Sequence, residues 1–193
     1  MECFAAELIS DDPSRGKRHQ PTEAKHKHMS TERNLPRVVL VDDHPAILRQ
    51  VIQLLSSEFE IVEALEDGAT LPAVVDDFAP DLIVLDITLG TTSGIELALA
   101  LKKAGCPAKI IFLTVHADAD YAREAFLVGA SGYVLKSRIA SDLDLALKTA
   151  LAGKRFLSPS PELAELGYIF RADIQVNYER LSLLTVLIIG NSL

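Results

Sequence analysis

Cysteine is scarce in this 193-residue chain: Cys3 and Cys106 lie far apart and show neither metal-ligand nor redox spacing. Neither a disulfide framework nor a zinc site is implied, and a reducing cytosol fits. The amino terminus, "MECFAAELIS", lacks a basic region ahead of a long apolar stretch, which argues against a secretory signal. Long hydrophobic runs are missing too, since the longest late one, Leu183 to Ile189, is too short to span a bilayer. A soluble, cytoplasmic protein is expected, with no membrane partner. Positive charge is also in short supply: the formal net charge is −8, with 17 acidic against 11 basic residues between Pro36 and Phe156. Such a body suits metal and phosphate chemistry better than a basic nucleic-acid face.

What is present is one domain's worth of regular pattern. Residues 1–35 mix Pro, Lys, His, Arg and Glu without apolar periodicity, with six charges of each sign, and read as a disordered leader. Met29 stands just upstream of the first strand-like run, where a natural start would fit, and His19, His26 and His28 are read as incidental rather than as metal ligands. From Arg37 onward, apolar β-branched runs ("VVLVDD", "FEIVEAL", "DLIVLD", "KIIFLT", "GYVLK") alternate with stretches of helical spacing near 45–57, 69–78, 93–104, 118–129 and 139–152. This alternation implies right-handed crossovers and a doubly wound, three-layer α/β fold with a five-stranded parallel sheet over residues 36–156. Pro45 suits a first helical turn, Ser93 an N-cap, and Gly105 and Gly129 helix ends. Residues 157–193 read as a linker leading into a short apolar helical segment. They hold four acids and only two bases, Arg171 and Arg180, a poor footprint for DNA.

Chemistry in an open parallel sheet gathers outside the carboxyl ends of the strands. Asp42 and Asp43 end the first run, Asp86 the third, Thr114 the fourth and Lys136 the fifth, so all fall at one edge. Three carboxylates converging there repel unless a hard divalent cation sits among them, and oxygen ligands with retained waters suit Mg²⁺. Asp86 is then a candidate nucleophile, because carboxylates form acyl phosphates. Lys136 can pair with a phosphoryl oxygen and Thr114 can donate a hydrogen bond to another. Taken singly, each of these is also an ordinary strand-end residue; the four strand ends together make the case.

At this point "VLVDDHP", "DLIVLDITLGTTSGIE", "KIIFLTVHADADYAREAFLVGASGYVLKS" and "LDLALKTALAGKRFLSP" resemble the receiver domain of two-component response regulators, most closely the NarL/FixJ (LuxR-type) subfamily, over about residues 36–160. The resemblance implies a flavodoxin-like (CheY-like) (βα)5 receiver. It implies that Asp86 accepts phosphate from a sensor histidine kinase, that Asp43 ligates Mg²⁺ directly and Asp42 largely through water, and that the Thr88 backbone carbonyl is a further ligand. Thr114 matches the switch hydroxyl and Lys136 the phosphate-pairing lysine. Tyr133 matches the aromatic that turns inward on activation, or is simply a core tyrosine. His116 fits the subfamily's Thr-x-His pattern and would line the site mouth and tune dephosphorylation.

The chain departs from the family in three places. Leu89 and Gly90 stand where many receivers carry Met-Pro, so a more flexible loop is expected. Ser137 follows the lysine in place of proline. The chain also stops far short of the helix-turn-helix with which this subfamily continues; "YERLSLLTVLIIGNSL" reads as a remnant of that output domain. The expected activity is therefore that of a phosphoacceptor with at most autodephosphorylation, acting through a homodimer or a partner, with DNA binding not expected of this chain. Rivals are a DNA-binding regulator with its output truncated, a non-phosphorylated interaction module, and a haloacid-dehalogenase-type phosphatase. The last wants a second Asp where Thr88 stands.

Overall fold

The computed structural model describes residues 35–169 and 174–176. The leader with Met29, and the apolar tail from Leu181 to Ile189, lie outside the described residues. Elements follow in the order β1 (Arg37–Val41), α1 (Pro45–Leu55), β2 (Glu60–Leu65), α2 (Leu71–Phe78), β3 (Leu82–Leu85), a two-strand hairpin β4 (Thr88–Leu89) and β5 (Thr92–Ser93), and α3 (Gly94–Lys103). Then come β6 (Lys109–Thr114), α4 (Ala119–Leu127), β7 (Gly132–Leu135), α5 (Ile139–Leu151), β8 (Arg155–Leu157), α6 (Ala164–Ile169) and β9 (Ile174–Val176).

The sheet runs β2-β1-β3-β6-β7-β8-β9, with every pairing parallel. Its central strands β1, β3, β6 and β7 are buried on both faces, which is why they read as nearly unbroken apolar runs, whereas the outer β2 is half-buried and carries Glu60 and Glu63. Alternate residues divide between two cores. Val39, Val41, Ile83, Leu85, Ile110, Phe112 and Tyr133 meet α2, α3, α4 and α6, while Val38, Leu40, Leu82, Val84, Ile111, Leu113 and Val134 meet α1 and α5. The three-layer α/β architecture is thus the one the sequence pattern implies.

Local signals place the helices. Pro45 opens α1, and the Ser93 hydroxyl accepts from the Glu96 N–H at 3.4 Å to cap α3. Asp118 caps α4 by accepting from the N–H groups of Asp120 and Tyr121, a cap hidden in sequence among the acids of "ADAD". Gly105 and Gly129 follow α3 and α4 as expected.

The sheet is wider than the five strands expected. "RFL" at 155–157 adds a sixth, because Phe156 enters the α1/α5 core and Leu157 the opposite one, and β9 pairs beside it. The stretch that reads as a linker is also anchored. A 3-10 turn at Pro161–Leu163, capped by Ser160, leads into α6, and Leu163 and Leu166 are buried in one core with Ala122, Ala125 and Phe126 of α4. The Arg155 guanidinium lies over the Phe126 ring at 5.8 Å. Four residues of sequence, "SPSP", hide this because Pro and Ser signal a loop while saying nothing of what the following leucines touch.

Leu163→Ala is expected to cost about 2–4 kcal/mol of unfolding free energy, as for other fully buried leucines, read as a lower urea midpoint at unchanged m-value; an effect below about 0.5 kcal/mol, the level of surface substitutions, would show that the segment after β8 is not part of the core.

Candidate functional site

Strand order reverses at β1, which has β2 on one side and β3 on the other, so the crevice outside the carboxyl ends of β1 and β3 is where a ligand fits. The backbone fixes what stands there. The Asp42 N–H donates to Leu65 O at 3.0 Å and the Asp86 N–H to Val41 O at 2.9 Å, so two carboxylate carriers are pinned on adjacent strands. Asp42, Asp86 and Thr114 are buried, and Asp43 is half-buried.

Lys136 closes the group. Its Nζ lies 2.7 Å from Asp86 Oδ2 and 2.7 Å from Asp42 Oδ2, one ammonium between two carboxylates. His44 caps the same corner, its N–H donating to Asp42 Oδ1 at 2.9 Å and its Nδ1 lying 2.6 Å from Asp43 Oδ1. The Thr88 N–H donates to Asp86 Oδ1 at 3.3 Å, and the Gly90 N–H to Asp43 Oδ2 at 3.1 Å. The loop expected to be flexible is therefore tied to the site. It folds as a hairpin with Leu89 buried, and Gly90 at φ +57° supplies the turn.

The charges do not balance. Asp42, Asp43, Asp86 and His44 each offer a ligand atom within 4.8 Å of the others. Two carboxylates at that separation repel by about 3 to 4 kcal/mol at an effective dielectric of about 20. Burial pushes the Asp86 carboxyl above the usual range, and proximity to Asp42 adds to this, while the Lys136 ammonium and the Thr88 N–H work in the opposite direction. Burial also opposes the Lys136 charge, but its bonds to Asp42 and Asp86 prevail and hold it above the ordinary lysine range. Three carboxylates against one ammonium leave a deficit that a divalent cation would fill. The donor set fits: Asp42 Oδ2 and Asp43 Oδ1 are buried and make no well-aligned hydrogen bond, their close contacts being the charge pairs to Lys136 and His44.

A second cluster sits on β6 and its following loop. Thr114 Oγ1 accepts from the His116 N–H at 3.2 Å. The Tyr133 hydroxyl donates to His116 O at 2.8 Å from a fully buried position, and burial, then Asp118 and Tyr121, push its phenol up. The His116 ring stacks on Tyr121 and places Nε2 at 3.2 Å from Thr88 Oγ1. Of the residues singled out in sequence, Asp42, Asp43, Asp86, Thr88 and Lys136 thus share one cluster. Thr114, Tyr133 and His116 form the adjoining one, joined to the first through Thr88.

Sequence reasoning missed His44, a lone histidine after the acid pair, and Gly94. The latter approaches so closely that a Cβ there would sit 1.9 Å from Asp86 O, and its N–H donates to Ile87 O at 2.7 Å. Nothing in periodicity marks such a glycine.

Residues 38–148 match the response regulator receiver domain family. Transcriptional regulatory protein DegU of Brevibacillus brevis is 32% identical over 128 residues, covering 65% of this chain and 54% of that protein. Among solved structures, a LuxR-family two-component response regulator from Aurantimonas sp. SI85-9A1 aligns at TM-score 0.63 and 31% identity over 72% of this chain and 99% of that one. The isolated receiver domain of RcsB from Salmonella enterica serovar Typhimurium, with phosphomimetic BeF3−, aligns at TM-score 0.62 and 25% identity over 69% and 99%. The chain spans about half the length of the curated relatives it matches.

Gly94→Ala is expected to lower stability by about 3 kcal/mol, the upper end of overpacking costs, because backbone must move. Gly90→Ala, with open space but a positive φ, should cost only about 1 kcal/mol. Chemical denaturation of both variants checks the order, and equal losses would contradict the close approach at Gly94.

Proposed function

The chain belongs to the response regulator receiver domain family, and from that premise we propose that it is a phosphorylation-controlled switch in which Asp86 takes a phosphoryl group from a sensor histidine kinase. The family generally binds Mg²⁺ in an acidic pocket, and its members are not classical enzymes. The observation that carries the reading is the group of three carboxylates within 4.8 Å, two of them bridged by Lys136.

Asp43 and Asp86, with the Thr88 carbonyl, would hold the cation directly and Asp42 through water; once bound it screens the incoming phosphoryl group and the charge spread over its oxygens. Asp86 attacks phosphorus as an ionised carboxylate, forming the O–P bond as the kinase's N–P bond breaks. Lys136 keeps that carboxylate ionised against burial, and its ammonium then pairs with a phosphoryl oxygen. The Thr88 N–H holds Asp86 Oδ1 in orientation.

A phosphoryl group on Asp86 draws the Thr114 hydroxyl, which already carries the His116 N–H. Because His116 O in turn holds the Tyr133 hydroxyl, displacement of Thr114 is felt at Tyr133 and around α4, β7 and α5. The phosphorylated state prevails only to the extent that these contacts favour one conformer over the other. His116, beside Thr88 at the mouth, governs water access and hence autodephosphorylation. Output is altered self-association, as a homodimer, or altered partner binding, in the cytoplasm where the kinase's phosphohistidine is presented; that relatives are named as transcriptional regulators supports transcription as the setting. Among the described residues no helix is long and apolar enough to cross a membrane.

Incubation with Mg²⁺ and acetyl phosphate or phosphoramidate, followed by intact mass, tests the chemistry. A labile single-phosphate adduct is expected in wild type and absent from Asp86→Asn or after chelation; no adduct in wild type would sink the reading. Light scattering should show dimer enrichment on phosphorylation, and monomer in both states would refute the dimer.

A further inference from the structure

Asp142 is a carboxylate where the pattern calls for an apolar residue. It lies on the buried stripe of α5 with Ile139, Leu143, Ala146, Leu147 and Ala150, and it is fully buried. Burying a charge is tolerable only when its oxygens are occupied, and here donors converge on both. Arg138 Nε donates to Oδ2 at 2.7 Å and Arg138 Nη2 to Oδ1 at 3.1 Å. The Ser141 hydroxyl donates to Oδ1 at 2.7 Å and the Ser158 hydroxyl to Oδ2 at 2.8 Å.

Ser158 has a second bond. Its Oγ accepts the Leu135 N–H at 3.1 Å, while its own N–H donates to Tyr133 O at 2.9 Å. The β7–β8 ladder ends at Tyr133 and Leu157. The serine hydroxyl thus takes the place of the backbone acceptor that a longer β8 would offer to Leu135. Lys136 is the next residue, and it opens the 3-10 turn Lys136–Arg138. The residue before Lys136 reaches Asp142 through Ser158, and Arg138, two residues after it, reaches the same carboxylate directly.

We propose that Ser158 and Asp142 are positioning residues for Lys136: they clamp both flanks of the turn that carries it, so that its ammonium is held between Asp42 and Asp86. The inference rests on the reading of Lys136 as the phosphoryl-pairing lysine. It places a determinant of the site beyond β8, in the stretch that reads as a linker. Neither residue touches the carboxylate cluster; each acts through Leu135 or Arg138.

A double-mutant cycle decides it. Mg²⁺ affinity, by calorimetry, and the rate of phosphorylation by acetyl phosphate, by intact mass, are measured for wild type, Ser158→Ala, Lys136→Ala and the double variant, with thermal unfolding run on each. Loosening Lys136 weakens its hold on the two carboxylates, so Ser158→Ala should bind Mg²⁺ about threefold more tightly and take phosphate about tenfold more slowly. The change in Mg²⁺ affinity should vanish in the Lys136→Ala background, and Ser158→Thr, which keeps the hydroxyl, should restore both values. A change of equal size in both backgrounds, or no change, overturns the proposal, because a residue that only supports the fold has no reason to act through the lysine. If Ser158→Ala does not fold, Asp142→Asn takes its place in the cycle with the same expectation. A wild type that binds Mg²⁺ but takes no phosphate refutes the phosphoacceptor reading alone, and one that does neither refutes both.

Discussion

One ammonium held between two buried carboxylates is the interaction on which the rest of this structure depends. Asp42 and Asp86 stand on adjacent central strands, with the Asp86 N–H bonded to Val41 O, so the fold itself forces their side chains together. Without Lys136 the pocket would hold like charges in a dehydrated corner, where breaking a buried pair leaves an uncompensated ion. With it, the pocket is tense but stable. The remaining negative charge is what makes the corner receptive to a cation and, through it, to an incoming phosphoryl group.

The neighbouring elements serve that corner from different directions. The β4–β5 hairpin brings the Thr88 and Gly90 N–H groups onto Asp86 and Asp43, and Gly94 lets α3 start against the Asp86 backbone. The loop after β6 gathers Thr114, Tyr133 and Thr88 around one residue, His116, with backbone and ring each engaged. Movement at the carboxylates therefore has a short bonded route to a buried aromatic, and from there to the core shared by α4 and α6.

The parts of this arrangement that were legible in sequence are those that follow from period and position. Strand-length apolar runs ending in Asp42, Asp86, Thr114 and Lys136 place four polar groups at one sheet edge whatever the details of packing. What could not be read depends on approach in three dimensions. Gly94 is set by a backbone 1.9 Å from where its Cβ would be, and Asp142 by a serine sixteen positions away. Leu163 and Leu166 follow a Pro/Ser stretch that signals a turn but not a surface to return to. Asp142 did leave a trace, an acid on an apolar helical stripe, whose meaning appears only once Arg138 and Ser158 are beside it.

The anchoring of residues 155–166 bears on how such a receiver can be exchanged between proteins. Phe156 fills one core, Leu157, Leu163 and Leu166 the other, and Ser158 completes the ladder beside Lys136. A chimera joined at Phe156 would leave one core missing three leucines and hand the foreign partner a gap to fill. A joint placed after Val176 would carry α6 and the β9 edge strand along with these leucines, which sets the natural unit of recombination some twenty residues later than the alternation of strands and helices suggests.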